Sequence, residues 1–300
     1  MSRLRRLLGR RSDPTPPIPV GEPETAAPAE PMWRPGVVFL EEAPEAYRQR
    51  LLDEICAEVS GAAEARALIE VEIGREPAPD ARRHMESHAV RYLQSYALMP
   101  EGPGRLVDVG GPSIHNIPLT RLKGWEIDTV EILAIDYESD PLPYADESRD
   151  GVLLCEVIEH FVRDPLFCFI EINRILKPGG VLLVTTPNAS SWFSVYQALQ
   201  HLQPNRWSVY SGDPAKARNH LHAHEYLVSD LTALLEAGGF TVEELVTRDY
   251  GVHAPYWPIP VYDQSNRGET IFCLARKLTP PRKRFTPPLY LEDVDFPESE

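Results

Sequence analysis

The chain has 300 residues, 43% of them apolar, and a formal net charge of −15. That acidity excludes nucleic acid as the main partner, because a phosphate backbone demands a basic face. No apolar run approaches the roughly 20 residues that span a bilayer, and no secretory apolar region follows the first methionine. Cys56, Cys155, Cys168 and Cys273 are scattered without CxxC spacing, which predicts reduced core thiols in a cytoplasmic protein.

Residues 1–12, MSRLRRLLGRRS, carry five arginines and no acid, with Leu4, Leu7 and Leu8 between them. A short basic amphipathic segment of this kind suits weak contact with an anionic membrane surface, at the inner face of the membrane. The remainder of 1–37 is rich in Pro, Ala and Glu, a composition that buries too little apolar surface to offset chain entropy. Residues 38–100 read as helical: Tyr47, Leu51, Ile55 and Val59 recur at helical spacing, and Ala81–Tyr96 forms a further helix with Asp80 as its N-cap. His84 and His88, one turn apart on it, are placed on a helix that lids the site.

From 101 to 278 strands alternate with helices. Leu106–Val109 is a buried strand that runs into Gly110-Gly111, where the lack of a Cβ lets a ligand approach the backbone. Trp125–Val130 and Ile132–Ile135 are two strand candidates with no room for a crossover between them. Gly151–Cys155 is the next strand, Pro165–Leu176 a helix stopped by Lys177-Pro178-Gly179-Gly180, and Val181–Thr185 a strand of the buried parallel type. Gln203–Arg218, with Trp207 and Tyr210, is a polar loop over the site. Ser229–Ala237 is a helix, and Thr241–Thr247 and Glu269–Ala275 are late strands. The alternation predicts a doubly wound, Rossmann-like, mostly parallel sheet. Residues 279–300 form a Pro-rich, then acidic, tail.

The segment DPLPYADESRDGVLLCEVIEHFVRDPLFCFIEINRILKPGG at 140–180, followed by VLLVTTPN at 181–188 and HAHEY at 222–226, resembles class I S-adenosylmethionine-dependent methyltransferases. It is most similar to bacterial methyltransferase-domain proteins associated with glycan biosynthesis, over roughly residues 80–277. The resemblance implies a seven-stranded sheet whose last strand is antiparallel. It implies S-adenosyl-L-methionine as cofactor and an acceptor that is a sugar or small molecule, with O-methylation of a sugar hydroxyl in glycan or lipid-linked saccharide biosynthesis as the leading reading. A methyltransferase of a small natural product and a non-catalytic scaffold module are the alternatives. A nicotinamide-dependent oxidoreductase fits less well, since the first turn does not read GxGxxG.

By the same resemblance Asp108 orients the turn, Gly110 and Gly111 admit the cofactor, and Glu156 lines its pocket through the backbone. Glu131 is a candidate for the ribose hydroxyls, if Trp125–Val130 is the second strand. Asp136 is a candidate for the adenine side, at the end of a third strand. Glu159 and His160 lie just past the fourth strand, where an acceptor hydroxyl must lose its proton, and histidine has the pKa for that task. His222 and Tyr226 are substrate candidates. His220, His222 and His224 alternate without a matching carboxylate or Cys set, so no metal is expected there.

Overall fold

The structure, a computed structural model, describes residues 44–131, 135–199, 201–204, 210, 212, 221–249 and 265–280. The basic segment 1–12, the strand candidate at 132–134, Trp207, His220 and the tail beyond 280 lie outside the described residues. The described residues all fall in one compact unit.

Four helices come first: α1 (Pro44–Glu58), α2 (Ala62–Arg75), α3 (Pro79–Ser87) and α4 (Ala89–Leu98). The single helix expected over 81–96 is thus broken at His88, whose φ −100, ψ 5 is not helical. Asp80 lies inside the first turn of α3, and Ala78 holds the N-cap position. Then follow β1 (Gly104–Gly110), α5 (Asn116–Lys123), β2 (Trp125–Glu131), β3 (Arg149–Cys155), a single 3-10 turn (Ile158–His160), α6 (Pro165–Ile175), β4 (Leu176–Pro187), α7 (Trp192–Leu199), α8 (Val228–Ala237), β5 (Phe240–Arg248) and β6 (Thr270–Lys277). Local chemistry sets several ends. Asp164 caps α6 by accepting the Phe167 amide at 3.3 Å, with Pro165 at the first helical position. Gly124, at φ +74, closes α5.

Among the described residues the strands make one six-stranded sheet in the order β2-β1-β3-β4-β6-β5, where seven strands were expected. Residues 135–140, at and beyond the end of the 132–135 strand candidate, run through a bend and a turn. The sheet is parallel from β2 to β4, and β6 lies antiparallel between β4 and β5, as expected for the last strand. Leu176 opens β4 opposite Arg149 instead of ending α6, so LKPGG belongs to the sheet edge of that crossover.

Alternation along each strand divides the core between two faces. Val107, Val152, Leu182 and Cys273 face α6 and α8, meeting Phe169, Ile172, Leu231 and Leu234. Leu106, Leu153, Leu183 and Phe272 face the N-terminal helices and α5, meeting Ile55, Ile69, Leu93 and Leu119. The helical segment before residue 101 is therefore one wall of the same core. Each fully buried Leu, Ile or Phe stabilises the fold by about 1.5–3 kcal/mol. The chain leaves β1 for β2 on one side and returns to β3 on the other. The direction of winding switches between β1 and β3, and the crevice beyond their carboxyl ends is where ligands bind in open α/β sheets.

Candidate active site

Gly110 and Gly111 leave the end of β1 at φ +121 and +110, a region that side-chain-bearing residues avoid. Space as well as torsion requires glycine here. A Cβ on Gly110 would stand 2.5 Å from Val157 Cγ2, and one on Gly111 would stand 3.1 Å from Glu131 Oε2. Glu131 ends β2 in register with Gly110. Trp125–Glu131 is thus the second strand, and the Glu131 carboxylate lies against the Gly-rich turn.

Asp108, on β1, is buried and takes a 2.7 Å hydrogen bond from Asn116 Nδ2. Burial pushes its carboxyl up to about 7, against the Asn116 and Ser113 hydrogen bonds and with help from the Glu131 charge. His115 is fully enclosed; burial and then Arg91 drive its pKa down to about 3, so it is neutral. Two buried polar atoms beside this turn, His115 Nε2 and Asn116 Oδ1, have no partner among the described residues. Buried polar groups left unpaired are costly. These orphans, a glycine cradle and a carboxylate with two accepting oxygens fit a ligand rich in hydroxyl and amino groups.

Across the switch point, Glu156 follows β3 at φ +57, a strained conformation for a side-chain-bearing residue. Its amide donates to the Thr185 carbonyl at 2.8 Å, and its carboxylate takes the Thr185 hydroxyl at 3.0 Å and pairs with Arg91 at 3.0 Å. Glu159 is entirely buried. Burial and then the neighbouring Glu156 charge hold its pKa well above the usual carboxylate range. Thr186 donates to Glu159 Oε2 at 3.1 Å, and Oε1 has no hydrogen-bond partner among the described residues. The half-buried His160 directs Nδ1 at the Leu221 carbonyl, 2.8 Å away. A carbonyl only accepts, so Nδ1 carries a proton.

His222 is brought to this end from 62 residues downstream. Its ring meets the His160 ring edge-on at 5.0 Å between centroids. The segment is pinned by the His224 amide, which donates to the Glu159 carbonyl at 3.2 Å, and by the Tyr226 hydroxyl, which donates to the Ile158 carbonyl at 3.3 Å. Tyr226 is buried with its hydroxyl committed, so the structure gives it a supporting place beneath the 158–160 turn rather than a free recognition edge.

Asp136 is corrected in one respect: it begins a turn and ends no strand. Its Oδ1 accepts the Glu138 amide at 3.0 Å, and its Oδ2 pairs with Arg163. Residues 132–134, immediately before, lie outside the described residues. His84 and His88 stack at 4.1 Å and continue through Tyr92 towards His115. Two residues were not singled out from sequence. Arg91 reaches from α4 to Glu156, and only the α4-to-sheet packing reveals it. Tyr137 buries its ring beside the β1–β2 ends and donates to the Val130 carbonyl at 2.5 Å. Its position one residue after Asp136 was the available signal.

The sheet order, the switch-point crevice and the glycine cradle define a Rossmann-like nucleotide-binding domain. The chain belongs to the methyltransferase-domain family, whose model matches residues 81–245, more than half of it. S-adenosylmethionine is the cofactor that family and fold imply. The chain is 36% identical over 103 residues to a Mycolicibacterium smegmatis protein named "Probable S-adenosylmethionine-dependent methyltransferase", covering 34% of this chain and 33% of that one. It is 38% identical over 97 residues to a ubiquinone biosynthesis O-methyltransferase of Cereibacter sphaeroides, covering 30% of this chain and 37% of that one. The chain thus spans about a third of the length of the curated relatives it matches. Among solved structures it is similar to a methyltransferase of Thermotoga maritima, at 21% identity and TM-score 0.42, over 66% of this chain and 94% of that one.

Proposed function

We propose that this chain is an S-adenosylmethionine-dependent O-methyltransferase that acts on a sugar hydroxyl, in the assembly of a glycan or lipid-linked saccharide. The observation that carries the reading is the Gly110–Gly111 turn lying against Glu131 on one side of the switch point, with Glu159 and His160 on the other. Gly110, Gly111 and the Glu156 backbone line the cofactor crevice. Asp108 fixes the turn, and Glu131 accepts from the ribose hydroxyls. Asp136, with Tyr137, bounds the adenine side. The donor supplies a methyl carbon on a sulfonium, whose C–S bond breaks as the new C–O bond forms. The protein contributes orientation and proton management. Glu159 and His160 hold the acceptor hydroxyl and help it lose its proton, and His222 borders the same space. The O-methyltransferase names among the relatives support an oxygen acceptor; the sugar rests on the 140–188 motif. No helix among the described residues is long and apolar enough to cross a membrane. In the same reading the five arginines of 1–12 draw the enzyme to an anionic surface that carries a lipid-linked acceptor.

The test is calorimetric titration of the full chain with S-adenosylhomocysteine, followed by labelled methyl transfer to a panel of saccharide, phenolic and amine acceptors. Micromolar binding that Asp108→Ala removes, with label appearing only on saccharides, supports the whole reading. Binding with label on phenols or amines overturns the sugar. A folded chain that binds no S-adenosylhomocysteine overturns the enzyme.

A further inference from the structure

Glu159, His160 and His222 each place one ligand-type atom so that all three lie within 4.8 Å of one another. Two ligands on one zinc-sized ion, each about 2.0–2.2 Å from it, stand at most about 4.4 Å apart. In a tetrahedral site the ligands stand closer, about 3.4 Å apart, so closing the set needs side-chain shifts of about 1 Å. We propose that these three residues bind one divalent transition-metal ion at the acceptor end of the crevice. The proposal rests on the methyltransferase reading and specifies how its acceptor end works, with His160 a ligand instead of a lone base.

Three independent features point the same way. Glu159 Oε1 is buried without a hydrogen-bond partner among the described residues, and a desolvated carboxylate oxygen calls for a cation. The His160 Nδ1 contact with the Leu221 carbonyl is of the outer kind that orients metal-bound histidines. Thr186 steadies Glu159 in the same manner. The donor set also fits: two imidazoles and one carboxylate suit zinc, manganese or iron(II) rather than the all-oxygen shells of calcium and magnesium. His160 is half-buried, so the set meets the crevice on one side and leaves coordination positions for an acceptor oxygen. The cation would draw that oxygen in and lower the pKa of its hydroxyl. The alternating histidine pattern at 220–224 concealed this set, because the carboxylate and the second imidazole come from the β3 end.

The full chain is stripped with chelator and titrated with Mn²⁺ by calorimetry, and the bound ion is examined for ¹⁴N imidazole couplings by pulsed electron paramagnetic resonance. One equivalent with nitrogen coupling is expected. Glu159→Gln and His222→Ala should each weaken binding by at least roughly 10-fold, the scale seen even for outer-contact losses. His224→Ala, two residues on and exposed, should leave it unchanged. S-adenosylhomocysteine binding by the same preparations reports that each variant is folded; should His222→Ala fail there, the near-isosteric Glu159→Gln carries the test. A wild-type chain that binds S-adenosylhomocysteine but no Mn²⁺ or Zn²⁺ overturns the metal site alone. Equal Mn²⁺ affinity in wild type and Glu159→Gln also overturns it. Specific Mn²⁺ binding without S-adenosylhomocysteine binding supports the metal site and overturns the cofactor reading.

Discussion

The two ends of the crevice are built differently. The turn after β1 is a local construction: Asp108, Gly110, Gly111, His115 and Asn116 lie within nine consecutive residues, and only Glu131 joins them from the neighbouring strand. The end beyond β3 is assembled over distance. His222 meets His160 through a segment tied down by backbone bonds from His224 and Ala189 and by the Tyr226 hydroxyl. A local site is held by torsion and sterics, so a single added atom can break it. A distributed site is held by several modest bonds, so single losses there weaken without abolishing.

The largest expected effect follows from the first half of that contrast. Gly110→Ala puts a methyl 2.5 Å from Val157 Cγ2 on a backbone at φ +121. Urea unfolding should show a loss of about 3 kcal/mol, and S-adenosylhomocysteine binding should vanish. A silent Gly110→Ala would contradict a sterically fixed turn.

Asp108→Asn sharpens the electrostatic side of the same end. The folded pKa of about 7 exceeds the ordinary 3.8, so between those values the folded chain keeps a proton that the unfolded chain has lost. The Asp108 contribution therefore makes stability fall as pH rises from about 4 to 7, by on the order of 4 kcal/mol at 1.36 kcal/mol per unit. The asparagine stays neutral and should flatten that slope, as seen in denaturation midpoints at pH 5 and pH 8.

Glu131→Gln separates binding from folding. The side chain is exposed beside the turn, so the melting temperature should hold while S-adenosylhomocysteine affinity falls roughly 10-fold, the scale of one charge-assisted hydrogen bond. At the end beyond β3, Tyr226→Phe removes one 3.3 Å bond to Ile158 and should cost about 1 kcal/mol in chemical denaturation, with cofactor binding intact. Arg163→Ala, which removes an exposed pairing with Asp136, should change stability by less than about 1 kcal/mol. A large loss there would mean that the 136–140 turn supports the cofactor crevice.

Legibility in the sequence followed the same division. The strands ending at Val109 and Cys155 announced themselves as apolar runs, and the glycine pair as a close-approach turn. Periodicity found α1 but ran through the break at His88, because a helix and its kinked pair share one apolar spacing. The third-strand candidate at 132–135 lies mostly outside the described residues, and 135–140 beyond it runs into a turn in which Asp136 accepts the Glu138 amide. Apolar periodicity says nothing of Arg91 or Tyr137, which act by reaching across elements.

Composition and pattern by themselves determined the alternating α/β architecture and the glycine turn at the end of β1, because burial and backbone torsion are written locally in side-chain size and glycine placement, while the antiparallel last strand and the roles of the site residues came from the resemblance of residues 140–188 to a family. Only the tertiary structure decided that Glu131 rather than Asp136 ends the strand beside the turn, that Arg91 closes on Glu156, and that His222 completes a set with Glu159 and His160. Those outcomes depend on strand order and on bonds between residues far apart in the chain, which no local spacing encodes.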